Sequence, residues 1–297
     1  MITAQPFAGK ILSEVHHHLG EGPMYDPATD TAWWLNILDS ELIELQLESG
    51  KRSVHKLPAM ASVVARVDGG RQVLATENGL YLRDTANGSL TLVTPIENDR
   101  PEMRSNDGRV HQSGALWFGT MKKTGEGRKG AGSIYHVARG VVTKLFPEIS
   151  IPNGICFSPD GTVGYYVDTM ENRYMRVPLD PLTGLPTADP QIFSDESHNP
   201  GGVDGAVCDA EGFIWNARWD VGQVHRYSPD GELKAVYSVP AKLTTCPAFI
   251  GKNADRMLVT SAAEGMDAEA MKADPQAGFI YELGISVKGA FEPAYRL

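Results

Sequence analysis

Cysteine is scarce in this chain. There are three in 297 residues, Cys156, Cys208 and Cys246, widely spaced and without a Cys-x-x-Cys. An odd, scattered set argues against a disulfide framework or a zinc ribbon. Each thiol has apolar neighbours, as in Ile155-Cys156-Phe157, so buried free thiols in a reducing compartment, the cytoplasm, are expected. Long hydrophobic runs are missing: nothing approaches the ~18 apolar residues of a membrane helix. The stretch Met1–Lys10 has no basic start leading into an apolar run, so no signal peptide is expected. Positive charge is in deficit, 27 Lys and Arg against 37 Asp and Glu, for a net charge of −10. That sign argues against a nucleic-acid partner.

Familiar catalytic motifs are absent as well. There is no Gly-x-Ser-x-Gly, no Gly-x-x-x-x-Gly-Lys-Ser/Thr and no His-Glu-x-x-His. The segment from Gly125 to Gly130 has Gly-x-Gly-x-x-Gly spacing. A strand, Gly132–Val137, is expected to follow it, where a dinucleotide site needs a helix. His16-His17-His18 cannot all reach one ion from a strand, whose successive side chains point to opposite faces, so partly exposed strand histidines are expected. Asn87-Gly88-Ser89 reads as a turn.

What is present is a repeat. Helical patterning is confined to Met266–Lys272. Elsewhere short strands rich in Val, Ile, Tyr, Trp and Phe alternate with Gly, Pro and Asp turns. Examples are Thr31–Asn36, Val73–Thr76, Leu116–Gly119, Val163–Asp168, Phe213–Ala217 and Met257–Thr260. Aligned on the strand before each turn, units begin near Glu21, Ala61, Arg104, Ile151, Gly201 and Thr244. Six units of about 40 to 50 residues, each worth about four strands, predict an all-β, six-bladed β-propeller spanning residues 1–297 as one domain. The N-terminal strand Gly9–Val15 is expected to close the last blade beside the C-terminal strands, removing the open edges.

Four units begin with a polar residue in an apolar or Gly/Pro setting: Leu19-Gly20-Glu21-Gly22-Pro23, Arg104-Ser105-Asn106-Asp107-Gly108, Ile151-Pro152-Asn153-Gly154-Ile155 and Gly202-Val203-Asp204-Gly205-Ala206. Any one alone reads as a turn. In a propeller the start of each innermost strand lies at one mouth of the channel, so equivalent positions converge on the axis. A Glu, an Asn and an Asp meeting there are three hard oxygen donors. They suit Ca²⁺, Mg²⁺ or Mn²⁺ better than a structural zinc.

These motifs, with Phe118-Gly119-Thr120-Met121, Ser158-Pro159-Asp160-Gly161 and Asp209-Ala210-Glu211-Gly212, resemble the gluconolactonase/regucalcin (senescence marker protein) family in order from Leu19 to about Ser261. The resemblance implies a sugar lactonase holding one divalent cation on Glu21, Asn153 and Asp204. Ca²⁺ is the first candidate, with Mg²⁺, Mn²⁺, Zn²⁺ or Fe²⁺ as alternatives. It also implies that Arg104 and Asn106 contact substrate oxygens and that Asp204 is the general base. There are departures. Similar sequences carry an Asp where His111 stands and an Arg where Ala115 stands, for which only a structural consequence is expected. Some present acidic residues soon after Gly-Thr-Met, where Lys122 and Lys123 stand here.

Those two lysines open a basic run, Lys122 to Lys129, expected to lie over the metal-bearing mouth. It reads either as a solvated loop or as a lid in which Lys122 and Lys123 meet a substrate carboxylate. Two other functions stay open: a metal-dependent esterase or organophosphatase, and a non-catalytic calcium-binding regulator. No nucleic-acid or membrane partner is expected, and the chain is taken as a monomer or weak oligomer.

Overall fold

Thr31–Asn36 is buried along its whole length. A strand manages that only when packed on both faces, and the same holds for Pro152–Phe157 and Thr244–Ile250. The structure, a computed structural model, describes residues 2–297; Met1, which begins the N-terminal stretch considered above, lies outside them. Six four-stranded sheets follow one another along the chain. Their inner strands are Gly20–Asp26, Ala61–Asp68, Met103–Val110, Pro152–Phe157, Gly202–Cys208 and Thr244–Ile250. Each packs against the inner strand of the next blade, and the last against the first, so the ring closes. The chain forms the expected six-bladed β-propeller. Blade six is completed from the other end of the chain: Lys10–Ser13 pairs antiparallel with Ile280–Glu282, as expected for the N-terminal strand. The one α-helix among the described residues, Ala268–Ala273, is capped by Asp267 and starts two residues later than the composition suggested.

The C-terminal tail crosses the mouth formed by the ends of the inner strands. Tyr295 donates its backbone N–H to Arg66 and Arg296 to Gly114, tying the tail to blades two and three. Beneath it Phe291 and Glu292 meet Tyr25, Val110, Phe157 and Phe249 around a cavity of about 80 Å³. Among the described residues no helix is long and apolar enough to cross a membrane. All three cysteines are free thiols, Cys156 and Cys246 buried and Cys208 half-buried.

The histidine run differs from expectation. It lies outside the strands, and while His16 and His18 face outward, His17 is fully buried. The reason is a pair of partners remote in sequence. Trp34 donates its indole N–H to His17 Nε2 at 3.1 Å, and His17 Nδ1 donates to the Gly278 carbonyl at 2.8 Å. His111 is also buried, bonded to Ser113 and, through Nε2, to the Gly161 carbonyl at 2.8 Å. Its consequence is structural.

Burial holds several of these imidazoles neutral. His225 is the strongest case: burial, then the Arg218 charge, lower its pKa from 6.5 to about 4. Between those values the unfolded chain binds a proton that the folded chain refuses. Stability is therefore full above about pH 6.5 and falls as pH drops towards 4, by up to roughly 3 kcal/mol from this residue. Thermal melts from pH 7 to pH 4 check this. The His225→Gln variant is expected to lose less stability over that window than the wild type, and equal losses would count against it.

Candidate active site

Every inner strand slips register near its start: between Glu21 and Met24, Ala61 and Val63, Ser105 and Gly108, Asn153 and Cys156, Val203 and Ala206, and Thr244 and Pro247; Ala61–Asp68 slips again between Arg66 and Asp68. Bulges re-aim side chains, and four of these six fall on the polar motifs. The glycines make two of them possible. Gly22 and Gly154 have φ of +55° and +62°, and a Cβ would sit 2.3 Å from the Ser62 carbonyl oxygen or 3.0 Å from the Tyr174 ring. Blades two and six turn small hydroxyls to the same level, and these bond to neighbouring strands: Ser62 to Ser105 Oγ at 2.7 Å, Thr245 to the Gly20 carbonyl at 2.6 Å.

The result is a cavity of about 330 Å³ at the mouth where the inner strands begin, within the range of small-ligand sites. Glu21, Arg104, Asn106, Asn153 and Asp204 all line it. A chain of hydrogen bonds fixes the amides. Arg104 Nη1 donates to Asn106 Oδ1 at 2.7 Å. A guanidinium can only donate, so the Asn106 NH₂ must face away. It donates to Asn153 Oδ1 at 2.7 Å and to the Pro152 carbonyl at 2.9 Å. Asn153 Nδ2 then donates to Thr169 Oγ1 at 2.9 Å, whose hydroxyl passes its own proton to the Val203 carbonyl at 2.8 Å. Behind Asp204, Asn216 Nδ2 donates to the Asp204 backbone carbonyl at 2.8 Å.

The two acids at this level lack a cationic partner. Glu21 accepts the Gly22 N–H at 2.7 Å, and neither it nor Asp204 forms an ion pair among the described residues. Burial above all, and then neighbouring carboxylates, push both pKa values well above the usual range: Asp107 acts on Glu21, and Glu21 on Asp204. Deeper on the axis, burial lifts Asp107 to about 6, although Arg109 and the N–H groups of Ile155 and Gly108 oppose the shift. Among the described residues no three His, Cys, Asp or Glu side chains form a metal cluster. The donor set at the mouth is two carboxylates and the amide oxygen of Asn153. Two buried, unneutralised acids beside a fixed amide oxygen fit a hard divalent cation.

The basic run reaches the mouth, but not through its two leading lysines. Lys122 and Lys123 are not in the cavity wall. Lys122 Nζ donates to the Glu126 carbonyl, while Lys123 pairs with Glu77 and donates to the Pro101 carbonyl at 2.8 Å. Internal partners hold both, and the residue of that run which reaches the wall is Arg128. Thr169, Trp219 and Glu264 also line the cavity without having been singled out. A hydroxyl, an indole and an exposed acid at the ends of outer segments carry no local signal.

A sequence profile described as SMP-30/Gluconolactonase/LRE-like region matches residues 19–263. A Rhizobium meliloti protein provisionally named a sugar lactone lactonase is 56% identical over the full length of both chains. The 6-deoxy-6-sulfogluconolactonase of Pseudomonas putida is 30% identical, with 93% of this chain and 94% of that protein covered. The crystal structure of a calcium-binding protein, regucalcin, from Agrobacterium tumefaciens superposes with a TM-score of 0.98 at 60% identity, covering both chains fully.

Proposed function

The chain belongs to the SMP-30/gluconolactonase/LRE-like family, and from that membership we propose that it is a metal-dependent hydrolase of sugar lactones. The observation that carries this reading is the pair of unneutralised buried acids, Glu21 and Asp204, sharing one cavity with the Asn153 oxygen and the Arg104–Asn106 pair. Glu21, Asn153 and Asp204 would hold the cation. Once bound, a divalent cation supplies a Lewis acid that polarises the lactone carbonyl and acidifies a water.

The chain's own groups do the rest. Asp204 takes the proton of the attacking water and delivers it to the ring oxygen as the acyl carbon–ring oxygen bond breaks, leaving an open-chain sugar acid. Arg104 spends Nη1 on Asn106 and the Ser105 carbonyl and turns its remaining N–H groups to the lactone. Asn106 has both amide hydrogens engaged. It therefore positions Arg104 and Asn153, and offers a substrate hydroxyl only the free lone pair of Oδ1. The names of the relatives, sugar lactone lactonase and 6-deoxy-6-sulfogluconolactonase, support the substrate class. A purely calcium-binding role, which the name of the Agrobacterium relative would suit, leaves the Arg104–Asn106 pair without a purpose. The whole chain acts as one domain, as a monomer or weak oligomer. Its three free thiols favour the reducing cytoplasm.

The test is a lactone panel assayed after chelation and re-addition of Ca²⁺, Mg²⁺, Mn²⁺ and Zn²⁺, with Arg104→Ala alongside. Arg104→Ala is expected to lower kcat/KM by about ten- to a hundredfold through lost orientation while metal affinity stays within a few-fold. An equal loss of metal affinity would make Arg104 a support of the metal site and not a substrate clamp.

A further inference from the structure

Five charged side chains line the mouth cavity: Glu21, Asp204 and Glu264 against Arg104 and Arg128. A divalent cation on Glu21 and Asp204 would cancel those two acids. Glu264 then faces two guanidinium groups, and one positive charge in the cavity is unmatched.

The surplus sits on Arg128. Its neighbours in the basic run are occupied, Lys129 by Glu171 at 3.0 Å and Lys123 by Glu77. Among the described residues Arg128 has no such partner. Its Nε is buried and makes no hydrogen bond among the described residues, and of the arginines left so in this chain it is the one that lines the mouth cavity. The Arg128 charge is also felt by Arg104, whose pKa is lowered first by burial; Glu264 and Glu21 oppose that shift and Arg128 adds to it. Two cations facing one small cavity repel each other unless an anion comes between them. The loop that carries Arg128 leaves the strand Leu116–Lys122 and returns at Gly132, so the guanidinium reaches the cavity from the side of the mouth.

We propose that Arg128, with Arg104 beside it, is a specificity-determining residue that binds an acidic substituent on the lactone, so that the preferred substrate is an anionic sugar lactone. The planar guanidinium offers paired N–H groups that match a carboxylate, a sulfonate or a phosphate. This rests on the lactonase reading above and refines it.

The experiment compares D-glucaro-1,4-lactone with D-glucono-1,4-lactone, which share a ring and differ in the terminal carboxylate. The 6-sulfonate and 6-phosphate gluconolactones serve as further arms to identify the anion. Wild type, Arg128→Gln and Arg128→Glu are assayed with metal present. The wild type is expected to favour at least one anionic lactone over the neutral one in kcat/KM by about tenfold or more, the scale of one charge-assisted hydrogen bond. Arg128→Gln should collapse that ratio towards one, chiefly through KM, and Arg128→Glu should invert it. Melting shifts with the open-chain products, glucarate against gluconate, read the same contact without turnover: the larger glucarate shift should vanish in Arg128→Gln. A wild type that prefers the neutral lactone over all three anionic ones overturns the proposal, as does an Arg128→Gln variant that slows all substrates equally. If the wild type opens no lactone with any metal, the lactonase reading fails, while glucarate binding through Arg128 would still be scored by the melting shifts.

Discussion

Asp204→Asn is expected to abolish lactone turnover and, in the metal-free protein, to raise the melting temperature. Both effects follow from one carboxylate in one place. Asp204 is buried beside Glu21, no cation among the described residues pairs with it, and its pKa is pushed well above the usual range. A group whose folded pKa is raised favours the fold only while protonated. At neutral pH folding must therefore either take up a proton or bury the charge, and that penalty persists until a cation binds. Asparagine keeps the shape and removes the charge, so the metal-free variant should gain roughly 1–3 kcal/mol. It also removes a metal donor and the proton acceptor, and about a thousandfold or greater loss in kcat is expected. Melts in chelator and turnover with saturating metal measure the two halves. A variant that retains turnover contradicts the assignment; one that melts lower without metal contradicts the electrostatics.

Arg109→Met should be among the most destabilising single changes in the chain. Arg109 sits near the far end of the strand Met103–Val110 and stitches other blades across the axis. It donates to the Pro23 carbonyl of blade one at 3.1 Å, the Ala206 carbonyl of blade five at 3.3 Å and Cys246 Sγ of blade six at 3.0 Å. It also pairs with Glu292 of the crossing tail at 3.5 Å. Burial opposes its charge, but the acids around it, Glu292 first and then Asp107 and Glu21, hold it protonated. Methionine fills similar space and leaves Asp107 and Glu292 without their cation, for a loss of about 3–5 kcal/mol. Urea titrations at pH 7 measure it. Partial recovery at pH 5, where Asp107, lifted to about 6, takes up a proton, is the further signature. A near-neutral substitution would show that the axis needs no central charge.

The propeller was legible because blades repeat and strands announce themselves through β-branched and aromatic residues between glycine turns. Thr31–Asn36 and Val163–Asp168 fall on their expected bounds. The convergence of Glu21, Asn153 and Asp204 on one cavity could be anticipated from their common phase in the units. Arg109 could not: a single arginine in a strand looks like a surface residue until six blades close around it. His17 gave the same difficulty, since the carbonyl that accepts its proton is Gly278, 261 positions away. Within the run from Lys122 to Lys129 four cations look alike in sequence. Which of them turns to the cavity depends on where Glu77 and Glu171 lie, and those acids belong to neighbouring blades.

Stoichiometric reactivation decides whether the paired acids at the mouth work as described. Wild-type protein, stripped with chelator and dialysed, is titrated with Ca²⁺ or Mn²⁺ while hydrolysis of its best lactone is followed. The expected result is negligible turnover without metal, rising to a plateau at one equivalent per chain. Full turnover in the stripped protein, or reactivation that is unchanged in Asp204→Asn, would contradict a catalytic cation held by Glu21, Asn153 and Asp204.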